Sequence, residues 1–317
     1  MCTGIKFTDT NQNMYFGRNL DYGINFGEKP IVAPIGYEMN YRHLPKQTFS
    51  KPIVGMGLDI NNYPLLFEGN TKDLCMAGLM FPNNAYYNSE IVDGKYNITS
   101  FEFIPWVLEN FDTVKEVRDV ITEKVNIVAD AFSEQLQPSP LHWLISDKND
   151  SIVVEQTKNG MHVYDNDVDV LTNNPEFPWH MQNLNNYVNL TPNDHHESTW
   201  NHHQITPQGV GTGSLGLPGD GTPQSRFVKV AYLNANYPQP TNELEGMSRL
   251  FNILKSVAIP YGSVVNNEGQ KEYTMYSCCY SQASETYYYN WFNDVNIHQV
   301  KLNDELTHGD KIKSFDK

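Results

Sequence analysis

The chain has 317 residues, with 22 Lys and Arg against 37 Asp and Glu, which gives a formal net charge of −15. Hydrophobic residues make up 39% of the sequence, so a chain of this length can bury a large core. The negative charge argues against nucleic acid or an anionic membrane surface as the main partner, because both need a basic face. We expect one acidic globular domain, residues 1–317, since the sequence has no repeat and no linker-like segment.

Neither a membrane span nor a secretory signal is evident. No apolar run is long enough to cross a bilayer, and residues 1–17 lack a basic start followed by an apolar stretch. We therefore expect a cytoplasmic location. The four cysteines, Cys2, Cys75, Cys278 and Cys279, include no Cys-x-x-Cys pair, so free thiols are predicted rather than disulfides or a zinc site.

The first elements are predicted to be a β-hairpin. Residues 3–7 and 14–19 have strand character, and a polar turn at residues 9–13 joins them. This pairing places Cys2 at the head of a strand. Arg18 and Asp21 follow the face alternation of a strand poorly, which predicts that the chain turns inward there.

The middle of the chain is predicted to be helical, then strand-rich. Apolar spacing over residues 103–132, with a capping box at Thr113 and Glu116, predicts two consecutive helices. The strands predicted after them are residues 142–146, 151–156 and 161–164. The remaining predicted elements are helices at 225–234 and 243–258, and strands at 273–280, 286–292 and 296–302.

The order of these elements predicts the fold class. Strands and helices occur in alternating groups rather than one by one, which favours antiparallel sheets with helices outside them. The predicted fold is α+β, with two central sheets between two helical layers, a four-layer αββα sandwich. Residues 191–224, rich in Gly, Pro, His and Asn, are predicted to form an extended surface loop.

Cys2 is the most informative residue for function. The initiator Met1 is normally removed before a small residue, which would leave Cys2 with a thiol and its own free α-amine. An α-amine titrates near ~8, so nucleophile and base would share one residue. Taken alone, such a cysteine is more often an ordinary residue. Arg18 and Asp21 favour the catalytic interpretation, because a cation stabilises a thiolate and a carboxylate can orient an amine; a surface ion pair is the alternative.

Several short blocks spread over essentially the whole chain carry a family resemblance. They are residues 1–4 (Met-Cys-Thr-Gly), 17–21 (Gly-Arg-Asn-Leu-Asp), 140–143 (Pro-Leu-His-Trp), 151–155 (Ser-Ile-Val-Val-Glu), 171–175 (Leu-Thr-Asn-Asn-Pro), 216–220 (Gly-Leu-Pro-Gly-Asp), 225–227 (Ser-Arg-Phe) and 287–289 (Tyr-Tyr-Tyr). Taken in order, they resemble the choloylglycine hydrolases, a family of N-terminal-nucleophile amidases that includes bile salt hydrolases and penicillin V acylases.

The resemblance implies a role for each matching residue. Cys2 would be the nucleophile, Arg18 and Asp21 would tune and orient it, Asn173 would donate to the oxyanion, and Arg226 would stabilise the site by its charge. A tetrahedral intermediate needs such donors, and losing one typically costs about a hundredfold in rate. Asn173 also fits a simple turn, since Asn-Asn-Pro is a good turn sequence. The resemblance further implies the αββα fold of N-terminal-nucleophile hydrolases, a homotetramer and no cofactor.

One position departs from the family pattern. Bile salt hydrolases normally carry asparagine where Met80 stands, and penicillin V acylases commonly carry tyrosine. Met80 has neither an amide nor a hydroxyl, so only its backbone N–H could face the oxyanion. Asn83 and Asn84 are candidates to compensate from a shifted loop.

The blocks divide between the two subfamilies. Residues 18–21 and 141–143 resemble bile salt hydrolases, whereas residues 259–262 and 267–269 are more similar to penicillin V acylases. The resemblance to bile salt hydrolases is slightly stronger. It implies small-molecule amides as substrates, with glycine- or taurine-conjugated bile salts favoured. Penicillin V or another N-acyl amide, such as an acyl-homoserine lactone, is the alternative.

Two other function classes remain open from the sequence. Met80 is compatible with a binding protein that keeps the fold and has lost activity. A metal-binding module would use His195, His196, His202 and His203, but paired histidines in a polar loop seldom hold a metal, so none is expected. The Gly-rich residues 209–221 lack the Gly-Lys-Ser/Thr of a phosphate-binding loop, which argues against a nucleotide.

Overall fold

The computed structural model describes residues 1–316. Within that range the strands are β1 (Cys2–Thr8), β2 (Met14–Tyr22), β3 (Lys29–Ala33), β4 (Glu38–Met39), β5 (Gln47–Thr48), β6 (Ile53–Asp59), β7 (Pro64–Leu66), β8 (Glu68–Asn70), β9 (Cys75–Met80), β10 (Tyr96–Thr99), β11 (Val125–Val128), β12 (Leu141–Ser146), β13 (Ser151–Thr157), β14 (Gly160–Asp165), β15 (Val170–Leu171), β16 (Ser198–Trp200), β17 (His203–Ile205), β18 (Val264–Val265), β19 (Lys271–Ser281), β20 (Thr286–Trp291), β21 (Asp294–Lys301) and β22 (Lys313–Ser314). The α-helices are α1 (Phe103–Asn110), α2 (Val114–Lys124), α3 (Phe177–Leu184), α4 (Pro223–Asn236), α5 (Glu243–Ser256) and α6 (Asp304–Thr307).

Two antiparallel sheets form the centre of the fold. The seven-stranded sheet has the order β15-β1-β2-β19-β20-β21, with β18 beside β19. The nine-stranded sheet has the order β14-β13-β12-β9-β8-β6-β3-β22, with β7 beside β6. Strand β1 faces the other sheet so closely that a Cβ on Gly4 would lie 3.1 Å from Leu144 Cδ2.

Helices cover the outer face of each sheet. Helices α4 and α5 contact the seven-stranded sheet, and α1 and α2 contact the nine-stranded sheet. One apolar core includes residues between the sheets and under α4 and α5, and a second lies under α1 and α2. The predicted αββα order of layers is confirmed.

The N-terminal hairpin is confirmed, with one correction. Strands β1 and β2 pair with Cys2 opposite Leu20 and Gly4 opposite Arg18. The inward turn predicted around Arg18 and Asp21 is wrong, because β2 continues to Tyr22. Strand β19 pairs with β2 along this stretch, with a register shift between Thr274 and Tyr276 that interrupts the regular pairing in β19.

The predicted helices are confirmed, but one was predicted too long. The capping box of Thr113 and Glu116 begins α2, which ends at Lys124 rather than near residue 132. Residues Val125–Val128 instead form β11, which is buried and pairs in parallel with β10. Three of its four residues, Val125, Ile127 and Val128, are β-branched and favour a strand, so pairing with β10 outweighs the helical spacing before it.

Strands β3–β10 and helix α3 were not predicted from the sequence. Many of these strands are two to four residues long, too short for a clear alternation. The predicted loop at 191–224 is largely irregular but contains the β16–β17 hairpin, and α4 already begins at Pro223. All four cysteines are free, as predicted, and all four are buried. No helix within residues 1–316 has the length and apolar character needed to cross a bilayer.

Candidate active site

The Cys2 side chain is buried between the two sheets and touches Arg18. Arg18 Nη2 donates to Cys2 Sγ at 2.7 Å. Cys2 lies opposite Leu20, and Arg18 is two residues before Leu20 on the same strand. Residues two apart share a face, so the Cys2 and Arg18 side chains both point to the other sheet. The buried Arg18 also donates to the carbonyl oxygens of Gly78 at 2.6 Å and Phe67 at 3.1 Å. Burial alone lowers the pKa of its guanidinium, but the acidic groups around it, Cys2 first, raise that pKa overall.

Asp21 and Arg226 approach Cys2 from the opposite face of the same sheet. Arg226, on α4, donates to the Cys2 carbonyl oxygen and, at 2.7 Å, to Thr3 Oγ1. Its Nη1 lies 3.9 Å from Asp21 Oδ2, and both side chains are buried. Burial lowers the pKa of Arg226 from its usual value, although Asp21 opposes that shift. Thr274 donates to Asp21 Oδ1 at 2.5 Å, whereas Asp21 Oδ2 has no hydrogen-bond partner within residues 1–316.

Asn173 reaches Cys2 from the neighbouring strand. The antiparallel register of β15 with β1 pairs Leu171 with Gly4, so Asn173, two residues further on, lies beside Cys2. Its Oδ1 accepts from Cys2 N at 2.8 Å and from Arg226 Nη2 at 2.8 Å. Its Nδ2 donates to the Met80 carbonyl oxygen at 2.7 Å. The structure therefore brings Cys2, Arg18, Asp21, Asn173 and Arg226 together.

Met80 presents its backbone to the site. Met80 lies opposite Leu141 in the β9–β12 pair, and Phe81 N donates to Pro140 O at 2.7 Å. In such a pair the two opposed residues exchange no backbone hydrogen bonds, so the N–H and C=O of Met80 point away from β12. They point towards Asn173, whose Nδ2 donates to the Met80 carbonyl oxygen. Asn83 and Asn84 are not among the residues that line the cavity at Cys2.

Two buried histidines hold the segment that carries Asn173. His142 Nε2 lies 3.0 Å from Thr172 O, and its Nδ1 lies 3.0 Å from Glu155 Oε1. His180 Nε2 lies 2.9 Å from Asn173 O. Burial lowers the pKa of His180 to about 4, so its ring is neutral at pH 7 and donates through Nε2. His180 and the contacts of Glu155 were not predicted from the sequence, although the blocks that contain His142 and Glu155 pointed to this region.

Contacts with Asp21 and Glu272 hold Met1 in place. Its ammonium group donates to the Asp21 carbonyl oxygen and lies 3.2 Å from Glu272 Oε2. The Met1 carbonyl oxygen accepts from Asp21 N at 2.9 Å. Cleavage after Met1 would thus leave the Cys2 nitrogen as an α-amine next to Asn173 Oδ1 and close to the backbone of Asp21.

An apolar groove opens next to the Cys2 thiol. The residues that line its inner end with Cys2 and Arg18 include Leu20, Tyr22, Phe26, Leu66, Phe67 and Met80. The groove continues as a cavity of about 390 Å³ whose walls include Leu58, Leu65, Phe101, Phe132, Leu136 and Leu141. Such a groove can take a large apolar group while the reacting bond lies at the thiol.

The four loop histidines do not contribute to this site. His195, His196, His202 and His203 are exposed on and near the β16–β17 hairpin. Within residues 1–316, no three or more His, Cys, Asp or Glu side chains are grouped so that they could hold a metal ion.

Comparisons with known proteins identify the family. The sequence model of the linear amide C–N hydrolases, choloylglycine hydrolase family, matches residues 2–315. The conjugated bile acid hydrolase of Lactobacillus gasseri is 47% identical over 317 residues, covering 99% of this chain and all of that protein. The bile salt hydrolase/transferase of Bifidobacterium longum is 41% identical, covering 96% of each chain.

Solved structures give the same result for the fold. The C2A mutant of the conjugated bile acid hydrolase from Clostridium perfringens matches with a TM-score of 0.92 and 37% identity, covering 100% of this chain and 97% of that one. The penicillin V acylase from Agrobacterium tumefaciens matches with a TM-score of 0.78 at 20% identity, covering 99% of this chain and 90% of that one, which is a likeness of fold alone. With a family model that matches nearly the whole chain, and relatives similar over their full length, the chain belongs to the choloylglycine hydrolase family of linear amide C–N hydrolases.

Proposed function

We propose that this chain hydrolyses the amide bond of glycine- or taurine-conjugated bile salts, with Cys2 as the nucleophile after removal of Met1. The observation that carries the proposal is the placement of the Cys2 thiol, 2.7 Å from Arg18 Nη2 and at the inner end of an apolar groove. The steroid acyl group would fill the groove, and the small charged leaving group would remain towards water. The relatives named for conjugated bile acid hydrolysis support this substrate class.

The first half-reaction transfers the acyl group to Cys2. The α-amine of Cys2 takes the thiol proton, and the sulfur forms a bond to the amide carbonyl carbon while the carbonyl oxygen gains the negative charge. The C–N bond then breaks as the α-ammonium gives its proton to the leaving nitrogen. The free amino acid departs, and the acyl group remains as a thioester on Cys2. Asp21 Oδ2, which has no hydrogen-bond partner within residues 1–316, is the proposed acceptor for the α-ammonium.

The second half-reaction restores the enzyme. Water gives a proton to the α-amine and attacks the thioester carbonyl carbon, after which the C–S bond breaks. The sulfur recovers the proton from the α-ammonium, and the free bile acid leaves. The oxyanion of both steps would accept hydrogen bonds from the Asn173 side-chain amide and the Met80 backbone N–H. The support for Met80 is the β9–β12 pairing, which turns that N–H away from β12.

The first experiment measures the amine released from glycocholate, taurocholate and penicillin V in parallel. We expect preferential cleavage of the bile salts, complete loss in Cys2→Ser, and full activity in Cys279→Ser, which alters a buried thiol away from the site. Intact mass should show that the active protein lacks Met1. Preferential cleavage of penicillin V would transfer the protein to the acylase subfamily. Failure to cleave all three substrates by protein lacking Met1 would overturn the proposal.

We further propose a homotetramer in which residues 188–215 contribute to the contacts. Support comes from apolar side chains exposed in this segment, namely Val188 at 87%, Trp200 at 73%, Val210 at 93% and Leu215 at 80%. Molar mass from light scattering should equal four chains and should fall when Trp200 and Leu215 are both changed to Asp. A monomer in the unaltered protein would contradict this proposal.

We also propose a cytoplasmic location and a single domain over residues 1–317. The four free cysteines support the location, because thiols are kept reduced in the cytoplasm. Fractionation of the producing cells tests it. A single cooperative unfolding transition, with coincident signals from fluorescence and circular dichroism, is expected for one domain.

A further inference from the structure

A second buried charge lies directly behind Arg18. Glu68, at the start of β8, is fully buried, and its Oε2 lies 3.9 Å from Arg18 Nη1. Four donors contact the carboxylate. Met56 N at 3.0 Å, Tyr287 OH at 2.6 Å and Cys278 Sγ at 3.6 Å donate to Oε1, and Tyr276 OH at 2.6 Å donates to Oε2. This arrangement suits a buried carboxylate, because hydrogen bonds and a cation compensate its loss of hydration.

The side chains that donate to Glu68 are themselves uncharged at pH 7. Burial raises the pKa of Tyr276 and of Tyr287 well above the usual value, so both are neutral phenols at pH 7. Cys278 Sγ lies 3.6 Å from Glu68 Oε1, and burial also raises the pKa of that thiol. Glu68 is therefore the anion that faces Arg18 from the nine-stranded sheet.

The charged groups on the other side of Cys2 do not face the Arg18 guanidinium. Arg226 faces Asp21 at 3.9 Å across the helix-facing side of the seven-stranded sheet. Glu272 lies 3.2 Å from the Met1 nitrogen. Between the sheets, the charged or titratable groups at the Arg18 guanidinium are Cys2, Glu68, Tyr276 and Cys278.

The charge on the Cys2 sulfur changes during the proposed reaction. The sulfur is a thiol or thiolate before acyl transfer and a neutral thioester after it. Arg18 is buried throughout, and a buried guanidinium without a counter-charge is strongly unfavourable. In the thiol and thioester states, the remaining anion beside Arg18 is Glu68.

We propose that Glu68 is a positioning residue that balances the charge of Arg18 whenever Cys2 is neutral. It holds the guanidinium against Cys2 and prevents Arg18 from over-stabilising the thiolate relative to the thioester. This inference rests on the proposed role of Cys2 as nucleophile. Glu68 acts through Arg18 and does not touch the reacting atoms.

The test is Glu68→Gln, which removes the charge and keeps the size. The rate of Cys2 alkylation by iodoacetamide is measured against pH in protein lacking Met1. With the negative charge gone, Arg18 favours the thiolate more strongly, so the pH of half-maximal rate should fall by about 0.5 to 1.5 units. For substrate hydrolysis, kcat should fall about tenfold with KM nearly unchanged, because the thiolate is over-stabilised relative to the acyl-enzyme.

Two control variants separate charge from packing. Glu109→Gln makes the same substitution at another buried carboxylate, which accepts from Ser50 far from Cys2, and should leave the alkylation profile unchanged. Tyr276→Phe removes a donor to Glu68 without removing its charge and should shift the profile much less than Glu68→Gln. A profile that moves to higher pH, or does not move, in Glu68→Gln would overturn the proposal.

A third comparison applies if Glu68→Gln folds poorly. Removing Arg18 alone leaves Glu68 uncompensated, and removing Glu68 alone leaves Arg18 uncompensated. The double variant Arg18→Gln with Glu68→Gln should therefore melt at a higher temperature than either single variant. Additive losses of melting temperature would contradict the pairing. Alkylation needs no substrate, so failure to cleave bile salts would count against the proposed function and not against the shift itself.

Discussion

Cys2 is contacted from both faces of one strand pair. Arg18 meets its sulfur on the face between the sheets, whereas Arg226 and Asp21 lie on the face towards α4 and α5. Residues three apart on a strand point to opposite faces, so Arg18 and Asp21 necessarily separate. This spacing lets β2 place Arg18 at the thiol on one face and Asp21 beside Arg226 on the other.

Met80 and Asn173 should respond differently to truncation. Met80→Ala keeps the backbone N–H and shortens a wall of the groove, so kcat should stay within about threefold while KM rises severalfold. Asn173→Ala removes a donor to the oxyanion, and kcat should fall by about a hundredfold or more. Steady-state kinetics with glycocholate checks both. A large loss of kcat in Met80→Ala would show that its side chain, and not its backbone, serves the reaction.

His180 should make the protein sensitive to acid. Its pKa is lowered from 6.5 to about 4 by burial, so between these values the unfolded chain binds a proton that the folded chain does not. The free energy of unfolding should therefore decrease as the pH falls from about 6.5 to about 4. His180→Gln, which keeps a donor for Asn173 O, should lose less stability over this range. Urea unfolding at pH 7 and pH 5 measures the difference, and equal losses in both proteins would refute this origin.

Elements that carry a strong local signal were predictable. The β1–β2 hairpin showed alternation and a polar turn, and α2 showed both an apolar stripe and its capping box. Strands β3–β10 lacked such signals, because many are short and buried on both faces, which removes the alternation. Six strands of the nine-stranded sheet, including the strand that carries Glu68, were therefore not predicted.

The capping box of α2 should contribute measurably to stability. Thr113 accepts from Glu116 N, and the Glu116 side chain accepts from Thr113 N. Thr113→Ala leaves the first turn without this acceptor and should lower the free energy of unfolding by about 1 kcal/mol. Thr122→Ala, at an exposed interior position of the same helix, is the matched control and should not lower the free energy of unfolding, because Ala favours a helix interior more than Thr does. Equal effects in urea denaturation would contradict a capping role for Thr113.

The assembled site depends on two sheets meeting face to face. Residues from β1, β2, β9 and the start of α4 converge with Asn173 at one end of the sandwich. Glu68 and Arg18 come from different sheets, and each would be a costly buried charge without the other. Packing of the layers therefore creates the electrostatic environment that no single element holds.

The net charge of −15 should weaken the folded state at low ionic strength. Like charges on a compact surface repel one another, and salt screens that repulsion over a distance of about 10 Å at 0.1 M. The melting temperature should therefore rise when sodium chloride is added from low millimolar levels to physiological strength. Scanning calorimetry checks this, with a neutral osmolyte at equal osmolality as the control. A fall in melting temperature would mean that local ion pairs outweigh the net repulsion.

The sequence by itself predicted the layers, and its resemblance to a known family implied the site residues Cys2, Arg18, Asp21, Asn173 and Arg226. These rest on local patterns and on short blocks that are contiguous in the chain. Only the tertiary structure decided that Met80 presents its backbone, that His180 holds Asn173, and that Glu68 balances Arg18. Each of these depends on register between strands or on packing between sheets. Such contacts join residues far apart in the chain, and no local periodicity records them.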